Sequence, residues 1–158
     1  MPQAKLAIIG HGTKTKNPGI KSFGFLSDKQ ARKILKLSKI FLFPSHEEGF
    51  GLAPLEGQSF GLPVVAWNLP IYKEIFPQGM ILIKENSFNN FTTTIIELLT
   101  KNDYHKKVSL EAYENSQRFS WEKYAENFKV LCGHPHLQRR GLDQRNSGKY
   151  SGAKFSKL

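Results

Sequence analysis

At 158 residues and 39% hydrophobic content, the chain is sized for one domain of ordinary size and is too apolar for a disordered polymer. No apolar run approaches the roughly 20 residues that span a bilayer, no signal peptide is expected from Met1-Pro2-Gln3, and the single cysteine, Cys132, excludes an internal disulfide. The formal net charge of +10 favours anionic partners (nucleotides, lipid headgroups or nucleic acid) without choosing among them, and half of it falls in residues 132–158.

"KLAII" (5–9) is apolar and β-branched and ends at Gly10, which predicts a buried strand. The breaker-rich "HGTKTKNPG" (11–19) is a loop, and "IKSFGFLS" (20–27) is a second short strand with its exit. Ser27 with Gln30 three positions on forms the pattern of a capping box, opening a helix whose apolar face carries Ala31, Ile34, Leu35 and Ser38. "KIFLFPS" (39–45) is a third strand, stopped by Pro44. A glycine turn and a helix over about 52–60 follow, closed by Gly61. "LPVVAW" (62–67) and "MILI" (80–83) are the fourth and fifth strands, with a short segment around Tyr72–Ile75 between them.

The remainder reads as helical. Phe88, Phe91, Ile95, Leu98 and Leu99 form one stripe, and Tyr104, Val108 and Ala112 a second. Trp121, Tyr124, Ala125, Phe128 and Leu131 form a third behind Ser120. Trp67, Tyr113, Phe119 and Trp121 are expected in the core. Apolar strands alternating with helix-length segments predict an α/β fold, a parallel Rossmann-like sheet flanked by helices, over residues 1–131. Residues 132–158 are basic, lack apolar periodicity and are expected to be a disordered tail.

The chemistry concentrates in "HEEGFGLAPLE" (46–56). It lies after the third strand and before a helix, where open parallel sheets bind ligands. Gly49 and Gly51 free the backbone around Phe50, and the helix behind contributes unpaired N–H groups and the positive end of its dipole. Pro54 fits the first helical turn. The pattern predicts an anion cradle with phosphate as its occupant. A carboxylate accepts bidentate hydrogen bonds from a vicinal diol. Glu48 and Glu56 around such a cradle therefore suit a ligand with hydroxyls on both sides of its phosphates, as in a nucleotide diphospho-sugar. The spacing alone supports equally well a solvated acid on a helix behind an ordinary turn.

"FLFPSHEEGFGLAPLEGQSFGLPVVAW" closely resembles the donor-site segment of retaining GT-B glycosyltransferases, of the family 4 type within glycosyltransferase group 1. The resemblance rests on two glutamates with seven residues between them (Glu48, Glu56), the turn Gly49-Phe50-Gly51 within that interval, and Gly61-Leu62-Pro63-Val64-Val65 after the helix. "GFLSDKQARKILKLSKIFLFPS" and "RFSWEKYAENFKVL" are similar to the flanking elements, so the likeness extends over about residues 5–131. It implies the GT-B C-terminal, donor-binding domain and transfer of a sugar from a UDP-, GDP- or ADP-sugar with retention of configuration. It also implies that no metal or other cofactor is held by the fold.

By that resemblance Glu48, the catalytic candidate, contacts hydroxyls of the transferred sugar, and Glu56 the ribose. Backbone N–H groups of Phe50, Gly51 and Leu52 hold the sugar and diphosphate beside Gly49. Phe25 and Leu26, in the loop 24–27, lie near the base. The chain departs from the pattern in length: the first strand, with the Arg and Lys that clamp the diphosphate, and the acceptor-binding N-terminal domain have no counterpart. Lys14, Lys16 and Lys21 do not match that clamp. The expectation is a truncated gene product or one part of a split enzyme.

Other polar residues weigh less. His11 in "GHG" is more simply a loop residue than a phosphate contact. His46 is a lesser candidate for the sugar pocket, and Lys73 and Glu74 fit a closing donor pocket or a plain helix surface equally well. Cys132, His134 and His136 lack a fourth ligand for zinc. The leading reading is an enzyme; the alternative is a non-catalytic nucleotide-sugar-binding fragment or subunit that docks on a separate acceptor-domain chain. Nucleic-acid binding through the tail is the weakest reading, since Tyr150 and Phe155 are its aromatics and no motif accompanies them. A reducing, cytoplasmic location is expected, and a lipid-linked acceptor at the inner face of a membrane would suit a basic protein of this class.

Overall fold

The structure is a computed structural model that describes residues 4–10 and 15–120. Its elements run β1 (Leu6–Ile8), β2 (Ile20–Ser22), α1 (Asp28–Leu37), β3 (Phe41–Phe43), α2 (Leu52–Ser59), β4 (Val64–Trp67), α3 (Tyr72–Ile75), β5 (Met80–Ile83), α4 (Phe88–Thr100) and α5 (Asn102–Ser116). Every strand pairing is parallel. Leu6 lies opposite Ile20, Phe41 opposite Val64, and Val64 opposite Met80. The fold is therefore α/β, with parallel sheets flanked by helices, as expected from strands alternating with helix-length segments.

The centre is β4, because it is paired on both edges and buried on both faces. Val64 and Ala66 turn to one side, where they join Leu69, Tyr72, Ile75 and Phe76 with Leu55 and Phe41 packed alongside. Val65 and Trp67 turn to the other side, toward Ile83, Phe91, Leu98 and Val108. The period-two alternation of a strand thus feeds two cores. One is covered by α2 and α3, the other by α4 and α5. Burying an aliphatic or aromatic side chain of this kind contributes about 1.5–3 kcal/mol, so β4 and its two covers anchor everything attached to β3 and β5. Close packing holds α2 down: a Cβ at Gly57 would stand 2.8 Å from the Phe41 ring.

Local signals behave as the residues dictate. Gln30 Oε1 accepts from the Ser27 N–H at 3.0 Å and from Ser27 Oγ at 2.8 Å, tying the start of α1. Gly61 follows α2 with φ +69 and donates its N–H to the Gln58 carbonyl at 2.8 Å.

Four expectations need correction. The single sheet is two, β1–β2 and β3–β4–β5, and β1, β2, β3 and β5 each keep one edge without a strand partner among the described residues. The first strand is not buried: Leu6 and Ile9 are exposed, because β1 pairs only with β2. Phe88 does not share the buried stripe of α4; it is 66% exposed and meets Trp67 only edge-on, ring centroids 5.6 Å apart. Tyr113 is an exposed residue of α5 rather than core, while Phe119 is half-buried against the core. The expected helix from Trp121 to Leu131, His11, Lys14, the Cys132–His136 group and the basic tail lie outside the described residues.

Candidate functional site: a glycine turn opening α2

The candidate site lies at the carboxyl end of β3. The strand leaves through Pro44 and Ser45, whose Oγ donates to the Glu47 carbonyl at 2.7 Å, and the chain then turns through Gly49-Phe50-Gly51 into α2. The two glycines differ. Gly51 is the helix N-cap at φ +95, a left-handed backbone, and a Cβ there would meet Phe76 at 2.9 Å. Gly49 has no such φ, and a Cβ on it would meet nothing within 4 Å. The fold therefore requires glycine at 51 and leaves 49 open toward solvent.

The acids differ as well. Glu48 is half-buried and folds back on the turn: its Oε1 accepts from the Gly49 N–H at 3.1 Å and from the Phe50 N–H at 3.3 Å. The amides of Gly49 and Phe50 are thus already engaged by Glu48 in the free protein. The N–H groups of Gly51, Leu52 and Ala53 donate to no acceptor among the described residues, and Pro54 has none to give. Three free donors at the positive end of α2 are what an anion needs. Glu56, in the second half of the first two turns, is exposed, with no side-chain partner among the described residues.

Tyr72 underlies the turn. It is fully buried, its hydroxyl has no hydrogen-bond partner among the described residues, and its ring lies 3.5 Å from where a Cβ on Gly51 would stand. Burial first, and the charge of Glu48 second, push its phenol up to about 12. Phe119, just beyond α5, packs edge-to-face on Phe50 with ring centroids 5.8 Å apart. Neither residue carries a local signal: Tyr72 reads as one apolar position in a short helix, and the Phe50–Phe119 contact spans 69 positions with no pattern to announce it.

His46 Nδ1 is hydrogen-bonded to Glu85 Oε1, and its ring lies tilted near that of Trp67 with centroids 6.2 Å apart, which gives it a structural partner beside the turn. Phe25, 82% exposed, and half-buried Leu26 occupy the loop at the carboxyl end of β2. Lys73 and Glu74 are exposed on α3. No group of three or more His, Cys, Asp or Glu among the described residues is arranged to hold a metal.

A parallel, helix-flanked α/β domain with an amide-lined turn at a strand's carboxyl end is an arrangement able to receive an anion at a helix N-terminus. The chain is a member of the family glycosyl transferases group 1, which it matches over residues 2–115. It is 28% identical over 102 residues to the serotype-specific mannosyltransferase WbdA of Escherichia coli, covering 65% of this chain and 12% of that protein. It is 33% identical over 93 residues to the O-antigen biosynthesis glycosyltransferase WclY of Escherichia coli, covering 57% of this chain and 25% of that protein. Two solved structures share the fold: TarM, with TM-score 0.68 at 23% identity over 80% of this chain and 28% of that one, and sucrose-phosphate synthase of Thermosynechococcus elongatus, with TM-score 0.71 at 19% identity over 84% of this chain and 39% of that one. The chain therefore spans well under half the length of these relatives.

Proposed function

We propose that this chain supplies the donor-binding part of a retaining glycosyltransferase that moves a hexose from a nucleotide diphospho-sugar to a glycan acceptor. The observation that carries the proposal is the turn itself: three free N–H groups of Gly51, Leu52 and Ala53 next to a carboxylate already oriented by its own backbone. The diphosphate takes the free amides, where the helix dipole favours negative charge. Both amide bonds to Glu48 fall on Oε1, so Oε2 stays open to accept from sugar hydroxyls. Glu56 accepts from the ribose, and Phe25 and Leu26 flank the base.

In the transfer, the bond from the anomeric carbon to the diphosphate oxygen breaks. A bond to the acceptor oxygen forms on the same face, and the acceptor's proton passes to the departing phosphate. The hexose is proposed to be mannose, and the product an O-antigen-type glycan, on the names of the relatives.

The alternative reading is a non-catalytic nucleotide-sugar-binding subunit that works with a separate acceptor-domain chain, at the cytoplasmic face of a membrane when the acceptor is lipid-linked. No described helix is long and apolar enough to cross a membrane. Calorimetric titration with UDP, GDP and ADP tests both readings. One nucleotide is expected to bind, and Glu56→Ala to weaken it about tenfold or more, the loss of a charge-assisted hydrogen-bond pair. Binding unchanged by Glu56→Ala removes the ribose assignment. A folded chain that binds none of the three removes the donor-site reading.

A further inference from the structure

We propose that Arg118 and Phe119, at the end of α5, form a strut that positions the Phe50 turn, with Phe119 as a positioning residue for whatever ligand the turn holds. The chain of contacts is continuous. Gln58, fully buried on α2, donates Nε2–H to the Gln78 carbonyl at 3.1 Å and accepts on Oε1 from Asn115 Nδ2 at 2.7 Å. Asn115, also fully buried, accepts on Oδ1 from Arg118 Nη1 at 2.7 Å, and its Nδ2 lies 3.4 Å from the Ile75 carbonyl. The Arg118 guanidinium sits 5.5 Å from the Phe119 ring, which meets Phe50 at an interplanar angle of 89°. The contacts thus leave α2 at Gln58, cross α5, and return to the residue that precedes the N-cap of α2.

This circuit has a physical purpose. Phe50 is 38% exposed between two glycines; Glu48 Oε1 holds its N–H, and the Phe119 ring is the contact that holds its side chain. Buried amide pairs are directional, and Gln58 and Asn115 have their polar atoms satisfied, so they set the place of Arg118 firmly. An edge-to-face aromatic pair transfers that placement to Phe50. The amides that follow, Gly51 and Leu52, are those the donor reading assigns to the diphosphate. The functional half of the inference rests on that reading; the structural half does not.

Phe119→Leu keeps apolar volume and removes the ring edge, so it is the decisive variant, with Phe119→Tyr as the conservative rescue. Amide exchange at Gly49 and Phe50 is expected to quicken about 2- to 10-fold in Phe119→Leu, the worth of one aromatic pair, with exchange in β4 unchanged and Phe119→Tyr like the parent. In a Phe50→Leu background the same change at Phe119 should have no further effect. If the parent chain binds a nucleotide, Phe119→Leu should weaken it by a similar factor. Quicker exchange throughout β4 and the turn together would overturn the proposal, since Phe119 would then only support the fold. Unaltered exchange at the turn would overturn it too. If the parent binds no nucleotide, the donor reading fails, and the exchange result still decides the strut.

Discussion

The pair Gly49 and Gly51 offers a way to separate what the turn needs for folding from what it needs for a ligand. Alanine at 51 must adopt φ +95 and place its Cβ 2.9 Å from the Phe76 ring. The left-handed backbone costs an L-residue about 1–2 kcal/mol. The ring cannot yield easily, since Phe76 is 2% exposed and packed edge-to-face on Tyr72 at 5.7 Å, and forcing atoms into a filled core adds about 1–3 kcal/mol. A loss of about 2–5 kcal/mol follows, and a chain of roughly 150 residues shifts about 2–4 °C per kcal/mol, so Gly51→Ala should lower the melting temperature by about 4 °C or more. Gly49→Ala meets no atom and has no left-handed φ, so its effect on stability should stay within about 0.5 kcal/mol. In the proposed donor reading its methyl group stands in the space of the ligand, so nucleotide affinity should fall while the melting temperature holds. Thermal unfolding by circular dichroism and calorimetric binding give the two readouts. Equal melting losses would refute the packing argument. Gly49→Ala with parental stability and parental affinity would refute the placing of the ligand.

Further expectations follow from the buried polar groups. Asn115→Ala strips the donor from Gln58 Oε1 and the acceptor from Arg118 and should cost about 2–4 kcal/mol in urea denaturation; a loss under about 1 kcal/mol would mean water replaces the amide. Tyr72→Phe removes a buried hydroxyl with no partner and should leave stability at neutral pH unchanged or slightly higher. Its clearer signature is alkaline. The phenol is raised from 10.0 to about 12 in the folded chain, so above pH 10 the unfolded state sheds a proton that the native state keeps. The stabilising contribution is complete below pH 10 and is lost as pH rises through about 12. Tyr72→Phe should flatten that decline, and two superimposable pH–stability curves would show that Tyr72 is not held neutral.

How far the sequence reaches depends on which physical cause sets each feature. The limits of β4, α3 and β5 were legible because breakers mark them: Gly61 and Pro63 before β4, Pro70 before α3 and Gly79 before β5. The face of α1 was legible because one 3.6-residue stripe separates half-buried Ala31 and Ile34 and buried Leu35 from the exposed lysines. Burial of β1 was not. Leu6 and Ile9 show that a strand is fit for a core, but burial also needs a neighbour, and a neighbour is not a local property. Phe88 fails similarly, since the first residue of a helix has the core on one side only. At the site, the sequence supplied the residues of the turn but not their bonds. Two glycines look alike on paper, and only Gly51 carries a left-handed φ. That Glu48 would fold back on its own amides, and that Phe119 would reach Phe50, are long-range or rotameric outcomes that no spacing encodes.

The two acids that bracket the glycine turn differ in physical standing. Ordering a free glutamate side chain costs up to about 1.5–2 kcal/mol in lost rotamers. Glu48 has met much of that cost before any ligand arrives, since two amides hold its Oε1 and the buried Tyr72 ring closes the space beneath the turn. Glu56 has met none of it: it is exposed and unpartnered among the described residues. A preset carboxylate suits the end of a ligand where orientation decides the chemistry, because geometry fixed in advance need not be assembled at the reacting centre. A mobile one suits an end where only binding is required, since it closes on its partner after the anion has docked. The glycines are thus not there to make the site loose. Gly51 places three amides without an acceptor among the described residues at the start of α2, and Gly49 leaves the approach to them open; in the donor reading proposed above, the fixed acid and the free acid divide the recognition of the ligand between them.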